Sequence, residues 1–167
     1  DYYFTKFGVD TRSVRFPGII SNGAMPGGGT TDYAVEVFYK AVKEGRFTCE
    51  VPKDAYMDMI YMPDALESTT QLMEADPTKL KHRNSFNIAS MSFTPEQLFT
   101  AIKKRIPEFT WDYNVDPVKA AIAASWPDIM DDSAAREEWG WNPKWGLDEM
   151  IDDMLAACRR KLANGEY

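Results

Sequence analysis

The sequence predicts one mixed α/β unit with few strands, and three observations predict it. Apolar residues recur at helical spacing, as in Ala34, Val37, Phe38, Ala41 and Val42, which fall at i, i+3, i+4, i+7 and i+8. Short β-favouring runs at 47–51 and 56–62 separate such segments. The 167 residues, 44% hydrophobic and 13% aromatic, suit one domain with a sizeable core rather than a disordered chain.

The elements follow in order. Tyr2, Tyr3, Phe4 and Lys6 before Gly8 read as the last turns of a helix with glycine in the C′ position, an end without a beginning. Residues 9–16 form a strand-like segment that Phe-Pro-Gly-Ile-Ile-Ser (16–21) ends, and a glycine-rich loop fills 22–29. Thr30, Thr31 and Asp32 supply N-cap candidates for the next helix, which Gly45 closes. Residues 47–51 and 56–62 read as strands, the second partly alternating. Pro63-Asp64 opens a helix with Asp64 as its cap and Ala65, Thr69, Leu72 and Met73 inward, stopping before Pro77. A short strand follows at 85–89.

The clearest local signal is Phe-Thr-Pro-Glu-Gln-Leu (93–98). Thr94 is the N-cap, Pro95 sits at N1, Gln97 completes a capping box, and Phe93 and Leu98 form the hydrophobic staple. After a strand at 109–113, Asp116-Pro117 starts a short alanine-rich helix that Trp126-Pro127 ends. Residues 133–139 make a helical turn or two before Gly140. The last helix, from about Leu147, carries Ile151, Met154, Leu155, Cys158 and Leu162 on one face. No internal repeat, low-complexity tract or linker interrupts the chain.

A net charge of −7 argues against a nucleic-acid or anionic-membrane partner, because such surfaces need clustered Lys and Arg. The longest basic run, Lys103-Lys104-Arg105, reads as the basic last turn of a helix. No apolar stretch approaches the roughly 20 residues that span a bilayer. The chain starts at Asp1 rather than Met and shows no basic-then-apolar amino-terminal signal. Cys49 and Cys158, in no CxxC spacing, point to a reducing compartment: the cytoplasm, or the mitochondrial matrix in a eukaryote. One histidine leaves too few soft ligands for a zinc site, and His82 between Lys81 and Arg83 reads as solvated surface.

Tyr2 and Lys6 have the Tyr-x-x-x-Lys spacing that puts a proton-transfer pair on one helical face. Gly8 ends that helix two residues after Lys6, and Tyr39 and Lys43 repeat the spacing in an ordinary amphipathic helix. The pair is therefore read as packing, not catalysis.

Several motifs carry a resemblance. They are Arg-Ser-Val-Arg-Phe-Pro-Gly-Ile-Ile-Ser (12–21), Pro-Gly-Gly-Gly-Thr-Thr-Asp-Tyr-Ala (26–34), Met-Ile-Tyr-Met-Pro-Asp-Ala (59–65), Ala-Ser-Met-Ser-Phe-Thr-Pro (89–95), Ser-Trp-Pro (125–127) and Asp-Asp-Ser-Ala-Ala-Arg (131–136) with Trp139-Gly140-Trp141. Together they resemble the C-terminal half of short-chain-type L-threonine 3-dehydrogenases, in the extended short-chain dehydrogenase (NAD-dependent epimerase/dehydratase) superfamily. The resemblance covers essentially the whole chain. The 136–143 stretch alone indicates the superfamily, whereas PGGGTTDY and MSFTP are specific to the threonine dehydrogenases.

The resemblance implies a fold class: the C-terminal part of a Rossmann-like α/β fold, with late sheet strands and the substrate-binding subdomain but without the first Rossmann half. No GxGxxG-like fingerprint for an NAD pyrophosphate occurs. The family's catalytic Tyr and Lys align before Asp1, so no catalytic residue is expected in this chain, and alone it should be inactive. NAD is the implied cofactor and L-threonine the implied substrate, oxidised to 2-amino-3-ketobutyrate. A homodimer is implied for the intact enzyme.

By the same resemblance Pro17, Gly18 and Ile19 touch the nicotinamide end of NAD, while Thr30 and Thr31, with Asp32, contact the substrate; Trp126, before Pro127, reads either as a wall of the substrate pocket or as the apolar anchor of a helix end. The Gly27–Gly29 amides and the helix start favour an amino-acid carboxylate, and Asp32 its ammonium. Arg136, Trp139 and Trp141 read as packing. The alternatives are a nucleotide-sugar epimerase or dehydratase fragment, or a non-catalytic binding or oligomerisation module of the same fold.

Overall fold

The computed structural model describes residues 2–167, so Asp1 lies outside the described residues. The mixed α/β expectation holds. The elements are α1 (Tyr2–Phe7), β1 (Val14–Arg15), β2 (Gly18–Ile20), a 3₁₀ turn (Thr30–Asp32), α2 (Tyr33–Glu44), β3 (Arg46–Cys49), β4 (Met57–Tyr61), α3 (Met62–Glu74), β5 (Phe86–Asn87), β6 (Met91–Phe93), α4 (Pro95–Lys103), β7 (Thr110–Tyr113), α5 (Pro117–Ala124), α6 (Ser133–Trp139) and α7 (Leu147–Ala163).

The strands form three small sheets. β1 runs parallel to β5, with Val14 opposite Phe86. β4 is the centre of the second sheet, parallel to β2 and antiparallel to β6. β3 runs parallel to β7 with Phe47 opposite Trp111. Parallel pairs need long crossovers, and here helices supply them.

β4 is buried at every position, not partly alternating as its sequence suggests. It is paired on both edges and covered on both faces. Met57, Met59 and Tyr61 join the larger core with α2, α4 and α7, while Ile60 on the opposite face joins a second core with Ala65, Leu72, Phe86, Ile88 and Trp141. The strand thus divides two hydrophobic clusters.

Local signals placed several helices well. Thr94 Oγ1 accepts from the Gln97 amide at 3.2 Å and Gln97 Oε1 from the Thr94 amide at 2.9 Å, so the capping box of α4 forms as read. Phe93 and Leu98 are buried behind it. Asp116 caps α5, its carboxylate accepting from the Val118 amide at 2.7 Å. Gly8, Gly45 and Gly140 end α1, α2 and α6 in the left-handed region that favours glycine.

Three readings need correction. The strand-like segment 9–16 is a strand only at Val14–Arg15, and the Phe-Pro-Gly-Ile-Ile-Ser stretch holds a strand of its own, β2, because Gly18–Ile20 pairs with Met59–Tyr61. In α3 the inward residues are Asp64, Ala65, Ser68 and Leu72, while Thr69 and Met73 are exposed. Ser68 enters the core because its hydroxyl donates to the Ala65 carbonyl at 2.8 Å. Asp64 is not the cap of α3. It lies in the first turn, and its carboxylate accepts from the Lys144 and Trp145 amides at 3.1 Å each, fastening the approach to α7.

Candidate functional site

Two clefts open where parallel strands end, the place at which open α/β sheets bind ligands. One, of about 400 Å³, is lined by Ile19 and Ser21 at the end of β2, Met62 just beyond β4, and Met25, Pro26, Gly27 and Asp32. The other, of about 490 Å³ and mainly apolar, is lined by Arg15 and Phe16 at the end of β1, Asn87 of β5, Pro17, and Trp126, Pro127, Ile129 and Met130.

The residues singled out from sequence fall around these clefts without sharing one cavity. Pro17 and Trp126 line the larger, and Ile19 and Asp32 the smaller. Thr30, again with Asp32, lines a third, polar hollow of about 260 Å³ beside Glu36, Glu50 and Lys119. Gly18 and Thr31 bring the two stretches together. A β-carbon at Gly18 would lie 2.8 Å from Thr31 Cγ2 and 2.5 Å from Met59 Sδ, so only glycine lets the 30–32 turn seat against β2. Pro17, Gly18 and Ile19 occupy the junction and body of a strand rather than a turn after one. Ile19 is 38% exposed between buried Gly18 and Ile20, an apolar side chain presented to the smaller cleft.

The glycine loop is built around Asp32. Its Oδ2 accepts the backbone amides of Gly27, Gly28 and Gly29, each at 2.8 Å. Gly28, at φ +99, has the conformation this turn requires. Three converging amides make an anion nest, and the anion seated in it is the chain's own carboxylate. Asp32 does not cap α2 through its side chain.

The other end of the loop is held at Asn22. Its carbonyl accepts from the Tyr39 hydroxyl at 3.2 Å and from Lys161 of α7, and its amide donates to the Tyr61 hydroxyl at 3.1 Å. Tyr61 in turn donates to Asp153 at 2.5 Å. Burial, then the bond to Asp153, pushes the Tyr61 phenol above its ordinary range, so it stays a donor at neutral pH.

One residue of the larger cleft escaped sequence reasoning. Asp58 of β4 is 5% exposed, accepts from the Ser92 hydroxyl and the Met130 amide, and lines the cleft. Its only signal was a carboxylate inside an otherwise apolar strand. Tyr2 and Lys6 lie on exposed α1, away from both clefts. His82 is exposed, yet its ring pairs with the buried carboxylate of Glu138, which also accepts the Lys81 and His82 amides at 2.7 and 3.0 Å. Arg136 pairs with Asp132 at 2.8 Å, and buried Trp141 donates to the Ala89 carbonyl at 3.1 Å, both structural roles. Among the described residues no helix is long and apolar enough to cross a membrane.

No protein-family model matches the chain. An uncharacterized epimerase/dehydratase of Staphylococcus haemolyticus is 58% identical over 163 residues, 98% of this chain and 51% of the relative. The L-threonine dehydrogenase of Clostridium difficile superposes with a TM-score of 0.94 at 53% identity, covering 96% of this chain and 50% of that one. A GalE-like L-threonine dehydrogenase from Cupriavidus necator gives 0.89 at 52% identity, over 93% and 50%. A UDP-glucose 4-epimerase of Thermotoga maritima, at 19% identity and 0.72, shares the fold alone. The chain spans about half the length of the relatives it matches. Over that length it is a homologue both of GalE-like L-threonine dehydrogenases and of epimerase/dehydratases.

Proposed function

We propose that the chain forms the substrate-side, C-terminal half of an NAD-dependent L-threonine 3-dehydrogenase that oxidises L-threonine to 2-amino-3-ketobutyrate. The observation that carries this reading is the 0.94 superposition, at 53% identity, on an L-threonine dehydrogenase. The seating of Thr31 on Gly18, which joins the two stretches assigned to substrate and cofactor, supports it.

In this reading Pro17, Gly18 and Ile19 hold the nicotinamide end of NAD, whose bound form supplies the hydride acceptor. The fit is local. Ile19 offers an exposed apolar face suited to a flat ring, while the Gly27–Gly29 amides, engaged by Asp32, offer no seat for a pyrophosphate. Thr30 and Thr31 bind the polar groups of L-threonine, and Trp126 walls the pocket. Asp32 contributes by shaping the loop, with its second oxygen left to meet an ammonium. The tyrosine base and its lysine belong to the complementary half, and the intact enzyme is a homodimer. No step of proton or hydride transfer is assigned to this chain.

The staphylococcal relative's epimerase/dehydratase designation favours a second reading, a nucleotide-sugar enzyme. Calorimetry separates the two. The chain, joined with the complementary half of a homologous L-threonine dehydrogenase, is titrated with L-threonine in the presence of NADH, which cannot accept a hydride, and separately with UDP-glucose. Saturable binding of L-threonine alone is expected. Binding of the nucleotide sugar alone would replace this reading with the second.

A further inference from the structure

Asp58 is an expensive residue to bury. Its neighbours Met57, Met59 and Ile60 are fully enclosed, and a carboxylate among them is costly to desolvate unless hydrogen-bonded. Its two partners explain its place. Ser92 is its cross-strand neighbour on β6, whereas Met130 is 72 residues further along, in the irregular stretch between α5 and α6. The adjacent residue is pinned as well, because Asn87 of β5 donates its side-chain amide to the Asp131 carbonyl at 2.9 Å.

That irregular stretch supplies one whole wall of the larger cleft. Trp126 is 40% and Ile129 66% exposed, so the wall's own apolar contacts hold it weakly. The bond from the Met130 amide to the buried Asp58 oxygen, shielded from water, is what ties the wall to β4. We infer that Asp58 is a positioning residue: its carboxylate, bonded to the Met130 amide, holds the 126–131 wall and its Trp126 against the apolar cleft, and so fixes the width open to ligand. For function this rests on the reading of that cleft as substrate-side.

The chemistry gives a sharp test. An asparagine at this position keeps both bonds, its oxygen accepting from Met130 and its amide donating to the Ser92 oxygen, while alanine keeps neither. Amide hydrogen exchange of the full chain is followed in the wild type, D58A and D58N. In D58A the Met130 amide exchanges about tenfold faster or more, with α2 and α7 unchanged, and D58N stays within about twofold of wild type. N87A, which removes the second pin and the bond Asn87 accepts from Arg15 at 3.2 Å but leaves the core carboxylate in place, loosens Asp131 and its neighbours more modestly. If D58A proves unfolded, D58N and N87A decide. Loosening in D58N equal to that in D58A or N87A, or loosening in no variant, overturns the assignment.

The functional half is read in the protein reconstituted with the complementary half. There D58A raises KM for L-threonine about tenfold with kcat little changed, and D58N behaves as wild type. A defect in D58N as large as that in D58A would mean that the charge itself binds ligand, and would overturn the positioning role. Absence of any threonine turnover in the wild type contradicts the functional reading instead, and the exchange comparison still decides whether Asp58 anchors the wall.

Discussion

Thr31 rests against Gly18: a β-carbon at Gly18 would stand 2.8 Å from the Thr31 methyl, closer than real contacts allow. The glycine of one strand and the threonine of a turn thirteen residues later are thus a matched pair. Through them the glycine loop, α2 and α5 are set relative to β2, and both clefts inherit that setting.

Gly18→Ala should therefore destabilise by about 1–3 kcal/mol, the usual cost of overpacking a close contact. Thr31→Ser removes the methyl and keeps the hydroxyl. The double variant should recover part of the loss, leaving the approach to Met59 Sδ, 2.5 Å, as the remainder. Urea unfolding of the four proteins measures the coupling, and strict additivity would show that the two residues do not share the strain.

The Asp32 nest makes a separate prediction. Asp32→Ala frees three amides that now converge on one oxygen at 2.8 Å, so Gly27, Gly28 and Gly29 should exchange faster. The stability loss should be about 1–2 kcal/mol, because the bonds are exposed to water. Exchange measured by NMR tests it, and unchanged rates at all three glycines would count against the nest.

Acid stability should depend on Glu138. Burial raises its pKa, but the bonds from the His82 amide, the His82 ring and the Lys81 amide outweigh burial and hold it below the ordinary 4.5. A carboxyl depressed in the fold contributes stability that is present above pH 4.5 and is lost as pH falls through its folded value. Glu138→Gln should lower stability at neutral pH and flatten the decline below pH 4.5. Chemical denaturation from pH 7 to pH 3 checks both, and parallel profiles for the two proteins would contradict it.

Trp126 separates packing from binding. At 40% exposure its removal should cost no more than about 1 kcal/mol of stability. If it walls the substrate pocket, Trp126→Ala should weaken L-threonine binding in the reconstituted protein by about tenfold, roughly 1.4 kcal/mol. Calorimetry and urea unfolding on the same variant give the two numbers. A large stability loss with unchanged affinity would assign Trp126 to the fold alone.

What the sequence disclosed divides along a physical line. The α4 cap, the α2 stripe and the glycine stops were legible because their signals lie within a turn or two of chain. β2 was obscured because Gly18–Ile20 is a strand only by virtue of pairing with Met59–Tyr61. Asp64 resembled a cap, yet its partners are 26, 80 and 81 residues away, at Ser90, Lys144 and Trp145. The α3 face differs because apolarity alone points Met73 inward, whereas the buried face runs through Asp64, Ala65, Ser68 and Leu72, with Ser68 satisfying its hydroxyl on its own helix. At the site, the glycine loop and its two threonines were visible as motifs. The use of Asp32 on the loop itself, and of Asp58 on a distant segment, required the tertiary fold.

The most direct measurement is NADH formation from L-threonine and NAD, followed by absorbance in three samples: this chain alone, the complementary half of a homologous L-threonine dehydrogenase alone, and the two together. The account predicts NADH in the mixture and in neither part. NADH from the isolated chain, or none from a mixture shown to have formed a complex that binds NAD, would contradict it.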